Sequence, residues 1–115
     1  MKYNNLNNKV SRVVVLGGKG FVGSEIILKL KQNNIPVISI SRKEIDLVDN
    51  SSTEYLAEKL NKNDILVIAS AIAPVKNNTM LTKNIIMVEN ICNALSLQKV
   101  KKILYVSSDA VYADK

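Results

Sequence analysis

Histidine and tryptophan are absent from this sequence of 115 residues, which has one cysteine, two prolines and four glycines. Without histidine, the chain has no imidazole general base and lacks the commonest zinc ligand, so we expect no metal site. The single cysteine, Cys92, forms no disulfide within the chain, which fits a reducing compartment. The small number of prolines and glycines excludes collagen-like and low-complexity classes.

Long apolar runs are also missing, since none reaches the roughly 18 residues that a membrane span needs. Residues 1–9 are polar and rich in asparagine, unlike a signal peptide. We therefore expect a cytoplasmic protein with no membrane partner. Sixteen Lys and Arg against ten Asp and Glu give a net charge of +6, which permits anionic partners. Because these bases are scattered, we interpret them as a solvated surface and expect no nucleic-acid partner.

Short apolar segments alternate with helical patterns after a loose, polar leader at residues 1–11. The segments that predict strands are residues 13–16, 37–40, 65–69 and 103–106, with a further short one at 45–47. Apolar residues recur at helical spacing between the strands. Residues 51–53 offer an N-cap for the second helix. The third helix places one stripe of apolar residues on a single side: Leu81, Ile85, Val88, Cys92 and Leu95.

A glycine-rich segment joins the first strand to the first helix. It reads Gly17, Gly18, Lys19, Gly20, Phe21, Val22 and Gly23. In such a segment the first glycine allows a tight turn, the second lets the backbone approach a diphosphate, and the third lets the helix pack closely on the sheet. The free N–H groups at the start of that helix also favour phosphate. Lys19 is followed by glycine, so this is not a P-loop.

These observations predict an α/β fold: a Rossmann-like, doubly wound parallel sheet of about five strands, with helices on both faces. We assign residues 12–115 to this one NAD(P)-binding domain. At the end of the second strand, where an acid would bind the ribose 2′-OH, the chain has Ser41 and Arg42. An arginine fork and a hydroxyl suit a 2′-phosphate, and Lys19 would add positive charge. We therefore favour NADP(H) and keep NAD(H) as the alternative.

The chain resembles the extended short-chain dehydrogenase/reductase family, whose members are NAD(P)-dependent sugar-nucleotide epimerases, dehydratases and reductases. The glycine segment is similar to that family's G-G-x-G-F-[IV]-G. Three further blocks carry the resemblance: residues 64–71, residues 84–90 and residues 100–112. Residues 42–49 resemble the dehydrorhamnose-reductase branch in particular. In the block at residues 64–71, Ile68 replaces the usual histidine.

The resemblance implies roles for individual residues. Asp46 and Leu47 match the adenine-side position, and Ala69, Ser70 and Ala71 would line the middle of the cofactor. Asn84 matches a structural or proton-relay asparagine. Ser108 matches the catalytic Ser/Thr that hydrogen-bonds the substrate oxygen. A nucleotide-sugar-like molecule is the implied substrate.

The family's tyrosine with a lysine four residues later, on the helix after the strand that ends at Val106, is not found in these 115 residues. Tyr55 and Lys59 have this spacing but belong to an early helix. We therefore expect the N-terminal portion of a longer enzyme, with the substrate domain outside this chain. The alternative is a non-catalytic NAD(P)-binding sensor or scaffold, and a basic nucleic-acid-binding domain is the third hypothesis. The oligomeric state stays open, a homodimer included.

Overall fold

Four short strands form one parallel sheet. The computed structural model of the chain describes residues 11–17, 21–41, 43–69 and 77–106, and for Met80 the backbone only. The strands are β1 (Val13–Leu16), β2 (Val37–Ile40), β3 (Ile65–Ile68) and β4 (Lys102–Tyr105). Their spatial order is β2-β1-β3-β4, and every neighbouring pair is parallel. The predicted α/β class and the parallel sheet are confirmed.

Three helices cover both faces of this sheet, as predicted: α1 (Phe21–Gln32), α2 (Ser52–Lys59) and α3 (Asn78–Leu97). One face packs Val13, Val15 and Val67 against apolar side chains of α1. The other face packs Val14, Leu16, Leu66 and Ile68 against Leu56, Ile91 and Ala94 of α2 and α3. The chain moves from β1 to β2 in one direction along the sheet and then crosses back to β3 in the other. Because crossovers between parallel strands are right-handed, this reversal places α2 on the opposite face of the sheet from α1.

The first helix ends where the sequence predicts. Lys29 and Lys31 lie in its last turn, where cations interact favourably with the helix dipole. Asn34 takes the left-handed conformation with φ 60°, which asparagine tolerates better than most residues. The N–H of Ile35 then donates to the carbonyl of Leu30 at 3.0 Å, which closes the helix end.

The predicted strand at residues 45–47 is wrong, and the described sheet has four strands instead of about five. Ile45 and Leu47 are buried in the core, as a strand would require. Their backbone makes turns instead, because the N–H of Ile45 donates to the carbonyl of Ser41 and the N–H of Asp49 donates to that of Asp46. The apolar residues of this segment therefore enter the core from turns and not from a strand.

The apolar stripe predicted on the third helix is largely exposed within the described part of the chain. Leu81, Ile85 and Val88 each expose close to half of their surface, and Cys92 is exposed as well. The buried seam of α3 runs along Asn90, Ile91 and Ala94. A window of apolar residues locates a helix, but it does not decide which of two apolar sides meets the sheet. None of the helices is long and apolar enough to cross a membrane, among the residues described above.

A half-buried ion pair ties the amino ends of β1 and β3 together. The Asp64 side chain is only 1% exposed. Arg12 donates two hydrogen bonds to it, from Nε to Oδ1 at 2.9 Å and from Nη2 to Oδ2 at 2.6 Å. Arg12 Nη2 also donates to the carbonyl of Lys59 at the end of α2, and the N–H of Lys101 donates to the carbonyl of Asp64. The pair therefore joins β1, α2, β3 and the segment that leads into β4.

Candidate functional site

The residues that follow the four strands lie in one row at the carboxyl edge of the sheet. The strand register pairs Leu16 with both Ile40 and Ile68, and Ile68 with Tyr105. One residue farther along each strand, backbone hydrogen bonds continue the row: Gly17 N to Ile40 O (3.2 Å), Ala69 N to Leu16 O (2.9 Å) and Val106 N to Ile68 O (3.0 Å). The residues that follow each strand therefore begin side by side.

The strand order places a topological switch point at this edge. From β1 the chain goes to β2 on one side, whereas from β3 it goes to β4 on the other. The connections that leave the neighbouring strands β1 and β3 therefore diverge and leave a crevice between them. Ligands of open α/β sheets bind in such a crevice.

The glycine-rich segment begins at this crevice. Gly17 has φ 85°, a conformation that costs other residues the clash of their Cβ. Phe21 opens α1 and is 83% exposed, and Val22 is half-buried behind it. Gly23 is buried where α1 packs on β1, the close approach expected of the third glycine. Gly18, Lys19 and Gly20 lie outside the described residues.

The end of β2 carries a carboxylate that the sequence analysis missed. Glu44 Oε1 accepts from the N–H of Ser41 at 2.9 Å and from its hydroxyl at 3.4 Å, and Ser41 is 9% exposed. The segment from Ser41 to Glu44 has the S-x-x-E spacing of a capping box, which was the available signal. Residues 39–43 themselves contain no acid, and Glu44 brings its carboxylate back to Ser41 from just beyond them. Arg42 lies outside the described residues.

The segment after β2 presents Asp46 outward and Leu47 inward. Asp46 is exposed, and its Oδ1 accepts from the N–H of Val48 at 3.0 Å. The side chain of Leu47 is buried in the core, so a ligand could contact this residue only through its backbone. Next along the chain, the Asp49 carboxylate accepts from both the N–H and the hydroxyl of Ser51. These hydrogen bonds hold the pKa of Asp49 below its ordinary value.

The remaining predicted residues are placed only in part. Ala69 is buried at the end of β3, whereas Ser70, Ala71 and Ser108 lie outside the described residues. Asn84, on the second turn of α3, has a buried Nδ2 with no hydrogen-bond partner among the described residues. Because α3 starts after the carboxyl end of β3 and returns toward the start of β4, Asn84 lies in the half of α3 nearer the carboxyl edge.

Tyr55 and Lys59 are kept away from the crevice. Lys59 Nζ lies 5.2 Å from the centre of the Tyr55 ring, but the carbonyl of Lys59 binds Arg12, at the amino edge of the sheet. Their spacing on α2 is therefore a helix-surface contact. Within the described ranges, no group of three or more His, Cys, Asp or Glu side chains is arranged to hold a metal ion.

Asn90 is a further residue of this region that the sequence analysis did not single out. It is 4% exposed, and its Nδ2 donates to the carbonyls of Leu47 at 2.7 Å and Asp49 at 3.2 Å. Asparagine is abundant in this chain, so composition gave no signal for one particular asparagine. The one sequence signal for Asn90 was its place at the end of the family-like block at residues 84–90.

Comparison with known proteins agrees with this geometry. The family model described as "NAD dependent epimerase/dehydratase family" matches residues 13–115. A GDP-L-fucose synthase of Sinorhizobium fredii (strain NBRC 101917 / NGR234) is 29% identical over 106 residues, which are 88% of this chain and 34% of that protein. The chain thus spans about a third of the length of the curated relatives it matches.

Solved structures share the fold. A GDP-mannoheptose C4 reductase from Campylobacter jejuni with NADP bound has a TM-score of 0.71 at 17% identity, over 86% of this chain and 31% of that chain. A UDP-glucose 4-epimerase from Thermus thermophilus in complex with NAD has a TM-score of 0.68 at 23% identity, over 80% of this chain and 36% of that chain. With the match over nearly its whole length, and as its motifs predicted, the chain belongs to the NAD dependent epimerase/dehydratase family.

Proposed function

We propose that this chain binds a nicotinamide dinucleotide at the carboxyl edge of its sheet, with NADP(H) favoured over NAD(H). The observation that carries the proposal is the switch point between β1 and β3, which opens directly beside the left-handed Gly17. Backbone N–H groups at the start of α1 point toward the same place, and such groups bind phosphate. The protein is then the cofactor-binding portion of a reductase, epimerase or dehydratase of a nucleotide sugar.

The residues present fit such a cofactor. Gly17 leaves room where any other side chain would carry a Cβ, and Asn84 offers a buried N–H donor without a partner among the described residues. Burying an unpaired donor costs free energy unless a partner satisfies it. A ligand in the crevice would supply that partner. The diphosphate is assigned to the segment 17–23, and the adenine to Asp46 and Leu47.

The other assignments follow from the sequence: those at the 2′-phosphate follow from the charges and hydroxyl at the end of β2 and in the glycine segment, and the rest follow from the resemblance. Ser41, Arg42 and Lys19 would hold a 2′-phosphate. Ala69, Ser70 and Ala71 would line the middle of the dinucleotide, and Ser108 would hydrogen-bond the substrate oxygen. A bound nicotinamide supplies or accepts the hydride. These 115 residues contribute binding and orientation, and because they lack the family's Tyr/Lys pair we expect no turnover from the chain by itself.

Titration of the chain with NADPH and NADH by calorimetry tests the proposal. We expect saturable binding of both and tighter binding of NADPH. Absence of binding to either would overturn the function, and equal or tighter binding of NADH would overturn the cofactor preference. The chain could also be fused to the remaining part of a related enzyme. Dinucleotide binding without turnover in that fusion would favour the non-catalytic sensor or scaffold.

Gly20→Ala tests the glycine segment. We expect at least about tenfold weaker NADPH binding, because a methyl group would stand where the phosphate approaches the backbone. The matched control is Asn63→Ala, in the exposed turn before β3 at the opposite edge of the sheet. Unchanged affinity of Gly20→Ala in calorimetry would contradict the assignment, as would an equal loss in the control.

A further inference from the structure

Asn90 is a buried polar residue whose hydrogen-bonding groups are all used between elements. It sits in the middle of α3 with 4% of its surface exposed. Both Nδ2 protons reach backbone carbonyls of the segment after β2, at Leu47 (2.7 Å) and Asp49 (3.2 Å). Its Oδ1 accepts from the hydroxyl of Thr53 on α2 at 3.3 Å. A buried amide with this many partners is typically well ordered.

These bonds fix the segment that carries Asp46. Ile45 and Leu47 are anchored below it by burial in the core, and the Leu47 carbonyl is held from the side by Asn90. Asp46 lies between these two anchors, exposed, with Oδ1 bound to the N–H of Val48. Its carboxylate is thereby left facing outward with acceptor capacity to spare.

An exposed carboxylate in the segment that follows β2 is suited to a purine that carries an exocyclic amino group. Adenine presents such an amino donor, whereas hypoxanthine presents a carbonyl oxygen at the same position. A carboxylate attracts the first and repels the second. The strength of this preference depends on how firmly the carboxylate is placed.

We propose that Asn90 is a positioning residue for the adenine end of the dinucleotide site, acting through the Leu47 and Asp49 carbonyls on the Asp46 carboxylate. This inference rests on the proposed function, and it adds the residue that holds the base-recognising carboxylate of Asp46 in place. Asn90 itself does not touch the cofactor.

The test compares NADP with its hypoxanthine analogue, nicotinamide hypoxanthine dinucleotide phosphate, by calorimetry on the full chain. For the unsubstituted chain we expect NADP to bind about tenfold more tightly, the effect of one hydrogen bond to a charged group. For Asn90→Ala we expect the ratio of the two dissociation constants to fall below about threefold. The control is Ile91→Val, a destabilising change at the next buried position of α3, which should keep the ratio.

The outcomes separate the inference from the function on which it rests. If the unsubstituted chain binds neither dinucleotide, the proposed function fails. If it binds NADP without preference over the analogue, or if Asn90→Ala keeps the full preference, the function stands and the positioning role is wrong. A general loss of stability would lower both affinities together and leave their ratio unchanged.

A second measurement needs no substitution, in case Asn90→Ala does not fold. The side-chain amide of Asn90 gives its own NMR signal in the unsubstituted chain. We expect this signal to move on addition of NADP and to move differently with the hypoxanthine analogue, because the segment it holds contacts the base. An unmoved amide signal in the presence of saturating NADP would overturn the inference.

Discussion

At the scale of single residues, the carboxylate of Glu44 has the clearest effect on the proposed cofactor preference. It accepts from both the N–H and the hydroxyl of Ser41, so that hydroxyl is already engaged within the protein. A 2′-phosphate bound near Ser41 would meet a negative charge on Glu44 as well as the positive charge of Arg42. The proposed preference for NADP(H) would therefore depend on the balance of two opposite charges, on Arg42 and Glu44.

Glu44→Gln shifts this balance. We expect NADPH to bind about threefold to tenfold more tightly, because one repulsive charge near the phosphate is removed, while the amide oxygen can still accept from Ser41. NADH binding should be unchanged. Calorimetry on both cofactors checks this result, with Glu58→Gln on the exposed side of α2 as the control of equal charge change. A gain shared by NADH, or by the control, would contradict the explanation.

At the scale of elements, α2 shows how a short helix is held without the cap that its sequence offers. Ser51 occupies the N-cap position but makes no side-chain capping bond. Asp49 instead accepts from the N–H and hydroxyl of Ser51, and the negative charge lies before the positive end of the helix dipole. The predicted N-cap position within residues 51–53 is therefore confirmed at Ser51, but its hydroxyl donates to Asp49 and makes no capping bond to the helix.

The same arrangement predicts a pH dependence. The pKa of Asp49 is lowered in the folded chain, so the unfolded chain binds this proton first as the pH falls. The contribution of Asp49 to stability is then present above its ordinary value of 3.8 and is lost as the pH falls through the lower folded value. Thermal unfolding from pH 6 to pH 2.5 should show a smaller acid-dependent loss for Asp49→Asn than for the unsubstituted chain. Equal slopes for the two proteins would contradict this role.

The sequence predicts most elements because most are set by local pattern. The four strands follow from continuous apolar runs and the three helices from apolar residues at helical spacing. Glycines mark the end of β1, and asparagines mark the end of α1. The segment around Ile45 and Leu47 was wrongly predicted because alternate burial is common to strands and to turns anchored in a core. Glu44 had a local signal in the S-x-x-E spacing that was not used, whereas the partners of Asn90 are 37 to 43 residues away in the chain and no local pattern reveals them.

At the scale of the whole molecule, β4 is an edge strand with the composition of a central one. All four of its residues are exposed, Ile103, Leu104 and Tyr105 among them. Beyond it, no further strand is paired within the described ranges. Ile103 and Tyr105 border an apolar groove of about 190 Å³ together with Val88 and Cys92 of α3. An exposed apolar edge with free backbone groups is a template for pairing with another chain.

Leu104→Lys tests the consequence for the 115-residue chain. We expect the unsubstituted chain to self-associate as its concentration rises and Leu104→Lys to stay monomeric, because a charge on an edge strand opposes strand pairing. Sedimentation velocity over a concentration series measures this. Leu28→Lys introduces the same charge at a similarly exposed leucine on α1 and should not change the association. If both variants stay monomeric, the net charge of the chain and not the edge strand β4 governs its self-association.

The ion pair of Arg12 and Asp64 gives the two ends of the sheet different tolerance to change. Breaking a fully buried pair by removing one partner costs about 3–5 kcal/mol, and the cost is smaller here because 30% of the Arg12 side chain is exposed. The same carboxylate also holds the turn before β3, since it accepts from the N–H of Asn61. All of these contacts lie at the amino edge, away from the crevice. Replacement of the connections at the carboxyl edge therefore leaves the hydrogen bonds of Arg12 and Asp64 in place. The fold can acquire a new ligand preference through those connections without first finding a new source of stability.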